Sequence, residues 1–220
     1  MGKSASKKKP AAALATGDDE SARGRLLSAA THLFCRYGIN ATGIDAIINE
    51  AGTAKTTLYK LFGSKTNLVN AVLESEGKAW REWFIGAMED GGGDAQAKLK
   101  RIFPALKRWF AEERFYGCPF INAVAEHDKD AKAFRNIALR HKKVVLAHIE
   151  RLAADMGAAE PQMLAHQLAL LIDGAIVAAM VSRDPGVADT AGLAAGNLFG
   201  PSKMRKPKRA GSATEQLVAV

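Results

Sequence analysis

TGIDAIINEAGTAKTTLYKLFGSK, residues 42–65, decides the fold. Its apolar residues recur at helical spacing on both sides of one tight turn. Ile44, Ile47 and Ile48 stand at i, i+3 and i+4 and predict a first short helix. Thr42 is placed to cap it, and Asp45, three residues on, makes a shorter-armed capping box. Ala51-Gly52 ends it, because glycine accepts the left-handed conformation a C-terminal cap needs. Leu58, Leu61 and Phe62 predict a second helix over residues 54–62, closed by Gly63. Its remaining surface carries Lys55, Thr56, Thr57, Tyr59 and Lys60. Ammonium, hydroxyl and phenol groups on a short helix after a tight turn suit the major groove of DNA. The competing reading is an ordinary helical hairpin with a solvated Lys/Thr face, since patterns of this kind are short.

The flanks weigh against the plain hairpin. From Leu26 to Val69 the chain reads LLSAATHLFCRYGINATGIDAIINEAGTAKTTLYKLFGSKTNLV. This resembles the TetR family of bacterial transcriptional repressors. Members show L-x-A-A-x-x-L-F-x-x-x-G, then T-x-x-x-I-x-x-x-A-G, then K-x-x-L-Y-x-x-F followed by S-K-x-x-L, and every anchor is filled here. The resemblance covers about a fifth of the chain. Two positions depart from it. Ala54 stands where a serine usually precedes the recognition lysine, so Thr53 must cap or the cap is lost. Thr66-Asn67 replaces a common acidic pair, which leaves this end less repulsive toward phosphate.

Charge agrees with a nucleic-acid partner. The formal net charge is +8 over 220 residues. Residues 21–72 hold six Lys/Arg against two Asp/Glu, residues 73–200 hold sixteen against seventeen, and residues 201–220 hold five against one. The middle is neutral, and positive charge sits on the reader and the tails. Hydrophobic residues make up 48%, enough for a real core. The two cysteines, Cys35 and Cys118, form no CxxC pair, which suits a reducing compartment. The start, MGKSASKKKP, has no apolar signal region. The nearest thing to a membrane span, residues 168–181, is short and holds Asp173. A cytoplasmic protein without membrane contact is the expectation.

Residues 1–20 and 201–220 read as basic disordered tails, and Lys7-Lys8-Lys9 as a solvated cluster that can also touch phosphate. The first helix starts near Ser21 with Leu26, Ala29, Ala30, Leu33, Phe34 and Tyr37 inward, and Gly38 stops it. It completes a three-helix DNA-binding unit over 21–72. Ser64 caps a long connecting helix whose apolar stripe runs through Leu68, Val72, Trp80, Phe84 and Met88 to Gly91-Gly92-Gly93. Residues 73–200 then read as a larger helical domain: 95–114 with a kink at Pro104, 120–126, 131–156, 158–182 and 187–199. No strand pattern of period two appears. The fold class is all-α.

Thr56, Thr57, Tyr59 and Lys60 are the expected readers of the bases, with Thr42, Lys55 and Lys65 on phosphates. For the larger domain, the resemblance implies a small-molecule effector among the middle helices. Trp83, Phe103, Leu106, Phe110, Cys118, Phe120, Asn122 and His141 are its candidate wall, although aromatic residues at this spacing also make plain core. The last two helices are rich in small and aliphatic residues. Leu168, Leu171, Ile172, Ala175, Ile176, Ala179 and Met180, with Ala191, Ala194, Ala195 and Leu198, form the candidate homodimer interface. The resemblance puts the dimer contact on this helix pair.

No enzyme, cofactor or metal is expected. Cys118 has no evident third catalytic group, and His141 and His148 stand seven residues apart, about 10.5 Å along a helix. The whole reads as a regulator on double-stranded, pseudo-palindromic operator DNA, acting as a repressor released by a small molecule. Two alternatives stay open: a DNA-binding accessory protein without an effector, and a small-molecule protein with a vestigial head.

Overall fold

Polar caps and glycines set most of the helix limits. In the computed structural model residues 21–127 and 132–200 are described, and they form ten α-helices and one 3₁₀ turn. The tail assignments and the Lys7-Lys8-Lys9 cluster lie outside the described residues. Helix α1 (Ala22–Tyr37) starts at Ser21, whose hydroxyl accepts from the Gly24 amide. Helices α2 (Ile44–Ala51) and α3 (Lys55–Phe62) follow, joined through Gly52 at φ 58°, the left-handed cap expected there. Helix α4 (Lys65–Glu89) begins at Ser64, which accepts from the Asn67 amide. Helix α4 is 25 residues long, about 37 Å, and crosses the expected domain boundary at residue 72 without a break.

Helices α5 (Ala95–Lys100) and α6 (Ile102–Phe110) replace the single kinked helix expected over 95–114. Pro104 explains the position of the break. It offers no N–H, and its ring crowds the carbonyl four residues back, at Lys100, where α5 stops. Arg101 sits at the joint and donates to the carbonyls of Met88 and Gly92, which ties it to the glycine turn after α4. Helices α7 (Pro119–Glu126) and α9 (Pro161–Ser182) each carry proline at their start, where a missing amide costs nothing. Helix α8 (Lys132–Asp155) lies between them in sequence, and α10 (Val187–Gly196) closes the described chain with the turn Asn197–Phe199.

One continuous core joins the two ends. Leu26, Phe34, Ile47, Leu58 and Phe62 of the three-helix unit pack with Leu68, Val69, Val72 and Leu73 of α4. Each such side chain contributes about 1.5–3 kcal/mol on burial, so α4 supplies the surface that three short helices lack. Two residues expected in this core are outside it: Tyr37 is 54% exposed and Leu61 40%. Each stands in the last turn of its helix beside a buried phenylalanine, Phe34 or Phe62, but on the side turned to solvent.

Helix α9 corrects the reading of its own length. Among the described residues it is the one helix long and apolar enough to cross a membrane by length and composition. Its inner face, through Leu164, Leu168, Ile172 and Ile176, nevertheless packs in the core, and Asp173 pairs with Lys142 of α8.

Candidate nucleic-acid interface and interior cavity

Helix α3 is held by two residues and leaves the rest outward. Leu58 is fully buried and Phe62 nearly so, with the Arg23 guanidinium 5.0 Å from the Phe62 ring centre. Arg25 of α1 donates to the Ala51 carbonyl at 3.1 Å and fixes the end of α2. Lys55, Thr56, Tyr59 and Lys60 are exposed, and Thr57 and Lys65 are half-buried. These six form one outward surface across α3 and the start of α4. Lys55 holds Asp45 of α2 at 3.1 Å, and this hydrogen bond raises its pKa above the usual lysine value. The ammonium therefore stays charged, and with three donors it can keep Asp45 and still meet a phosphate.

One capping expectation fails, and of the two alternatives left open at α3 the lost cap holds. Thr42 does not cap α2; the N-cap is Gly43, with no side chain on the helix amides. The Thr42 hydroxyl is buried and donates back to the carbonyls of Gly38 and Leu33, so it closes the α1–α2 turn. A buried, committed hydroxyl cannot reach a phosphate, and Thr42 leaves the contact list. At α3 the cap is indeed lost: no side chain accepts at Ala54, and the buried Thr53 hydroxyl has no partner.

Behind the reader lies a cavity of about 660 Å³. Its nearest wall belongs to the reader itself: Ser28, Thr31, His32 and Cys35 of α1, with Glu50 of α2. Glu76 and Trp80 of α4 continue it. Trp109 of α6 follows, the α6–α7 connection contributes Glu112, Arg114, Tyr116 and Cys118, and α7 contributes Phe120. Leu139, His141 and Lys142 of α8 and Ile172, Asp173 and Ile176 of α9 complete the far side. The Trp80 and Trp109 rings meet edge-on at 5.6 Å, and Phe120 stacks on His141 at 4.1 Å. Two polar contacts cross the wall, His32 Nδ1 with the Glu50 carboxylate at 2.7 Å and the ion pair of Lys142 with Asp173. Arg81 stands 3.1 Å from His141 Nδ1. A guanidinium only donates, so Nδ1 accepts and the ring is neutral. Burial first, then Arg81 and Lys142, push the His141 pKa down to about 3. Burial pushes the Cys118 thiol up, which makes it a poor nucleophile.

Helix α7 links this cavity to the reader. Its first turn holds Phe120 in the wall. At its other end the Glu126 carboxylate accepts from the Asn40 amide at 2.9 Å, and the Asn40 side chain donates to the Glu126 carbonyl. Asn40 lies in the α1–α2 turn.

With this geometry in place, known proteins are informative. The family model for bacterial regulatory proteins of the tetR family matches residues 26–72. A TetR-family transcriptional regulator from Streptomyces coelicolor, SCO4454, superposes with a TM-score of 0.74. It is 30% identical, over 80% of this chain and 93% of that one. The chain belongs to the TetR family. It is a DNA-binding transcriptional regulator of the helix-turn-helix type. An uncharacterized HTH-type transcriptional regulator from the lacX 3' region of Lactococcus lactis is 26% identical over 76% of this chain and 87% of that protein. The HTH-type transcriptional activator FasR of Mycolicibacterium smegmatis is 46% identical over 52 residues, 24% of each chain. By name these relatives are transcriptional regulators.

Of the candidate effector wall, Cys118, Phe120 and His141 line the cavity. Trp83, Phe103, Leu106 and Phe110 do not; they are buried core. Their helix faces turn toward other helices, and periodicity alone does not separate core from cavity. Asn122 lines a separate void of about 20 Å³ beside Phe34 and Val69, and its amide donates to the Tyr116 carbonyl. The missed residues include Thr31, Cys35, Glu76, Glu112, Lys142 and Asp173. Glu76 did carry a signal: in the run Leu68, Val72, Glu76, Trp80, Phe84 it is the one acid in an apolar stripe of spacing four. Among the described residues no cluster of His, Cys, Asp or Glu is suited to a metal.

The expected dimer face also needs correction. Leu168, Ile172, Ala175, Ile176, Ala179, Ala191 and Ala195 are buried within the protomer. Leu171, Met180 and Leu198 are half-buried, and Ala194 alone of that set is exposed. The apolar residues left outward on the same two helices are Leu170, Val177 and Val181 of α9 and Leu193 of α10.

Proposed function

We propose that this regulator is a homodimeric repressor released from a pseudo-palindromic operator by a small molecule in the cavity. Residues 21–72 act as the reader and 73–200 as sensor and dimer module, with α4 shared between them. Each α3 enters one major groove. Thr56, Thr57, Tyr59 and Lys60 read or orient, and Lys55 and Lys65 meet phosphates. Two subunits pair through the outward faces of α9 and α10, where Leu170, Val181 and Leu193 are 72%, 77% and 76% exposed. The cytoplasm, where the DNA lies, is the place of action.

The observation that carries the reading is the shared wall. Side chains of α1 and α2 line the cavity directly, and α7 runs from that cavity to the α1–α2 turn. A ligand that moves either wall therefore moves the reader. A coupling of about 1–3 kcal/mol would change operator affinity some 5–150-fold. Repression is the family expectation, and a relative named as an activator makes the sign worth measuring.

The test is fluorescence anisotropy on the DNA upstream of the chain's own gene, at near-physiological salt with excess random competitor. Saturable binding that survives competitor supports the reading, and a promoter-reporter assay then gives the sign. Binding lost to competitor there and at neighbouring promoters refutes it. A thermal-shift screen that finds no stabilising small molecule favours the accessory protein without an effector.

A further inference from the structure

Helix α1 has two inward faces. Leu26, Ala30, Leu33 and Phe34 turn to the core that the reader shares with α4. Ser28, Thr31, His32 and Cys35 stand at i, i+3, i+4 and i+7, a stripe on the opposite side of the same helix. In a free-standing three-helix head that side would meet water. Here it lines the cavity, and Thr31 within it is only 6% exposed. Leu139 and Leu146 of α8 and Leu170 of α9 line the same space from the larger domain. The cavity is therefore a cleft between the back of the reader's first helix and the body of the protein.

Two ties fix α1 to the last turn of α2. His32 Nδ1 meets the Glu50 carboxylate at 2.7 Å, and Arg25 donates to the Ala51 carbonyl at 3.1 Å. Ala51 directly precedes the Gly52 cap that leads on to α3. The far end of α1 is held to the body, where Asn40 and Glu126 of α7 share two hydrogen bonds. Ser28 and Gly38 lie about 15 Å apart along the axis, so α1 is an arm with one end held and its back open to the cleft. On the reading above that the cavity holds the effector, we propose that the reader is itself one jaw of the binding site. The effector bridges α1 to α8 and α9 and regulates by swinging α1 about its Asn40 end. Filling the cleft loads the face from Ser28 to Cys35 directly. Helices α2 and α3 follow through the two ties, without the signal passing along α4. Operator and effector affinities are then coupled at the wall itself.

Side chains that fill the cleft from the body stand in for the effector. Leu139→Trp and Leu146→Trp each add bulk from α8, and hydrogen exchange by mass spectrometry of the full chain is the readout. Exchange at residues 29–37 should slow about tenfold, while residues 187–196 keep their rate. In a His32→Ala background the slowing should persist in α1 and shrink at residues 47–51, because one tie is gone. Operator affinity of the same proteins, by anisotropy, should fall about tenfold. Unchanged exchange in α1 with both variants would overturn the bridge, and a fall in operator affinity beside it would leave the cavity a control site that acts through α4 or α7. Slowed exchange in α1 with unaltered operator affinity would keep the bridge and overturn the cavity as a control site. Equal slowing at residues 187–196 would mark a gain in global stability and overturn the bridge. Leu139 is 58% exposed, so its variant carries the test by itself if Leu146→Trp loses its fold by circular dichroism.

Discussion

Single residues divide sharply between contact and support, even where the sequence offers them as equals. Thr42 and Lys60 both read as DNA contacts. Lys60 is exposed on α3, whereas the Thr42 hydroxyl is spent on Gly38 and Leu33. Lys60→Ala should leave the melting temperature in place, weaken operator binding and shrink its salt slope by about 0.9 if one phosphate contact is lost. Thr42→Val should do the reverse: a loss of about 1 kcal/mol of stability in urea melts, with the salt slope unchanged. His141 sets a second expectation. Its folded pKa of about 3 lies below the ordinary 6.5, so the unfolded chain takes up the proton first as pH falls. The stabilisation by the neutral ring is complete above about pH 6.5 and is lost progressively down to about pH 3. The full effect is on the order of a few kcal/mol. Comparing wild type with His141→Gln across that range isolates it: the variant should show a shallower fall in stability, although it also loses the stack on Phe120.

At the scale of elements, α4 and α7 act as the two connections between cavity and reader, and they touch at Gly77. A methyl there would stand 2.7 Å from Phe120 Cζ and 3.2 Å from His141 Nδ1. Phe120 is stacked on His141, so it has little room to yield. Gly77→Ala should therefore push α4 away from α7 and cost about 1–3 kcal/mol, read by chemical denaturation. It should also lower operator affinity with no ligand present, because the displaced helix is the one that carries the reader. Unchanged affinity alongside reduced stability would show that α4 can shift without moving α3. The same contact was invisible in sequence. Gly77 sits inside a helical pattern where glycine is only unfavourable, and its purpose is a side chain more than forty residues away.

For the whole molecule, the decisive surface is the one left over after the core forms. Leu170, Val181 and Leu193 remain largely exposed, while the small residues that first suggest an interface are already buried. Val181→Glu combined with Leu193→Glu should keep the fold but give a monomer in analytical ultracentrifugation, with operator affinity reduced more than tenfold. Ala179→Glu, by contrast, should cost the fold itself, because it places a charge in packed interior. A stable dimer in the double variant would move the interface elsewhere.

How much of this was legible from the chain alone depends on the range of the interaction. Residues 42–65 determine two helices, their turn and the outward set on α3, because helical period, glycine caps and side-chain polarity act within a few residues. The caps at Ser21 and Ser64 and the stops at Gly38, Gly52 and Gly63 are of the same local kind. What the sequence could not assign is which neighbour each apolar face meets. Periodicity marks a face as inward but is silent on whether it packs against another helix, an open cavity or a second chain. For that reason Phe103 and Leu106 proved to be core, Glu76 became part of a wall, and the apolar residues left outward on α9 were Leu170, Val177 and Val181. Those outcomes depend on contacts between residues tens of positions apart, and only the packed arrangement of the helices decides them.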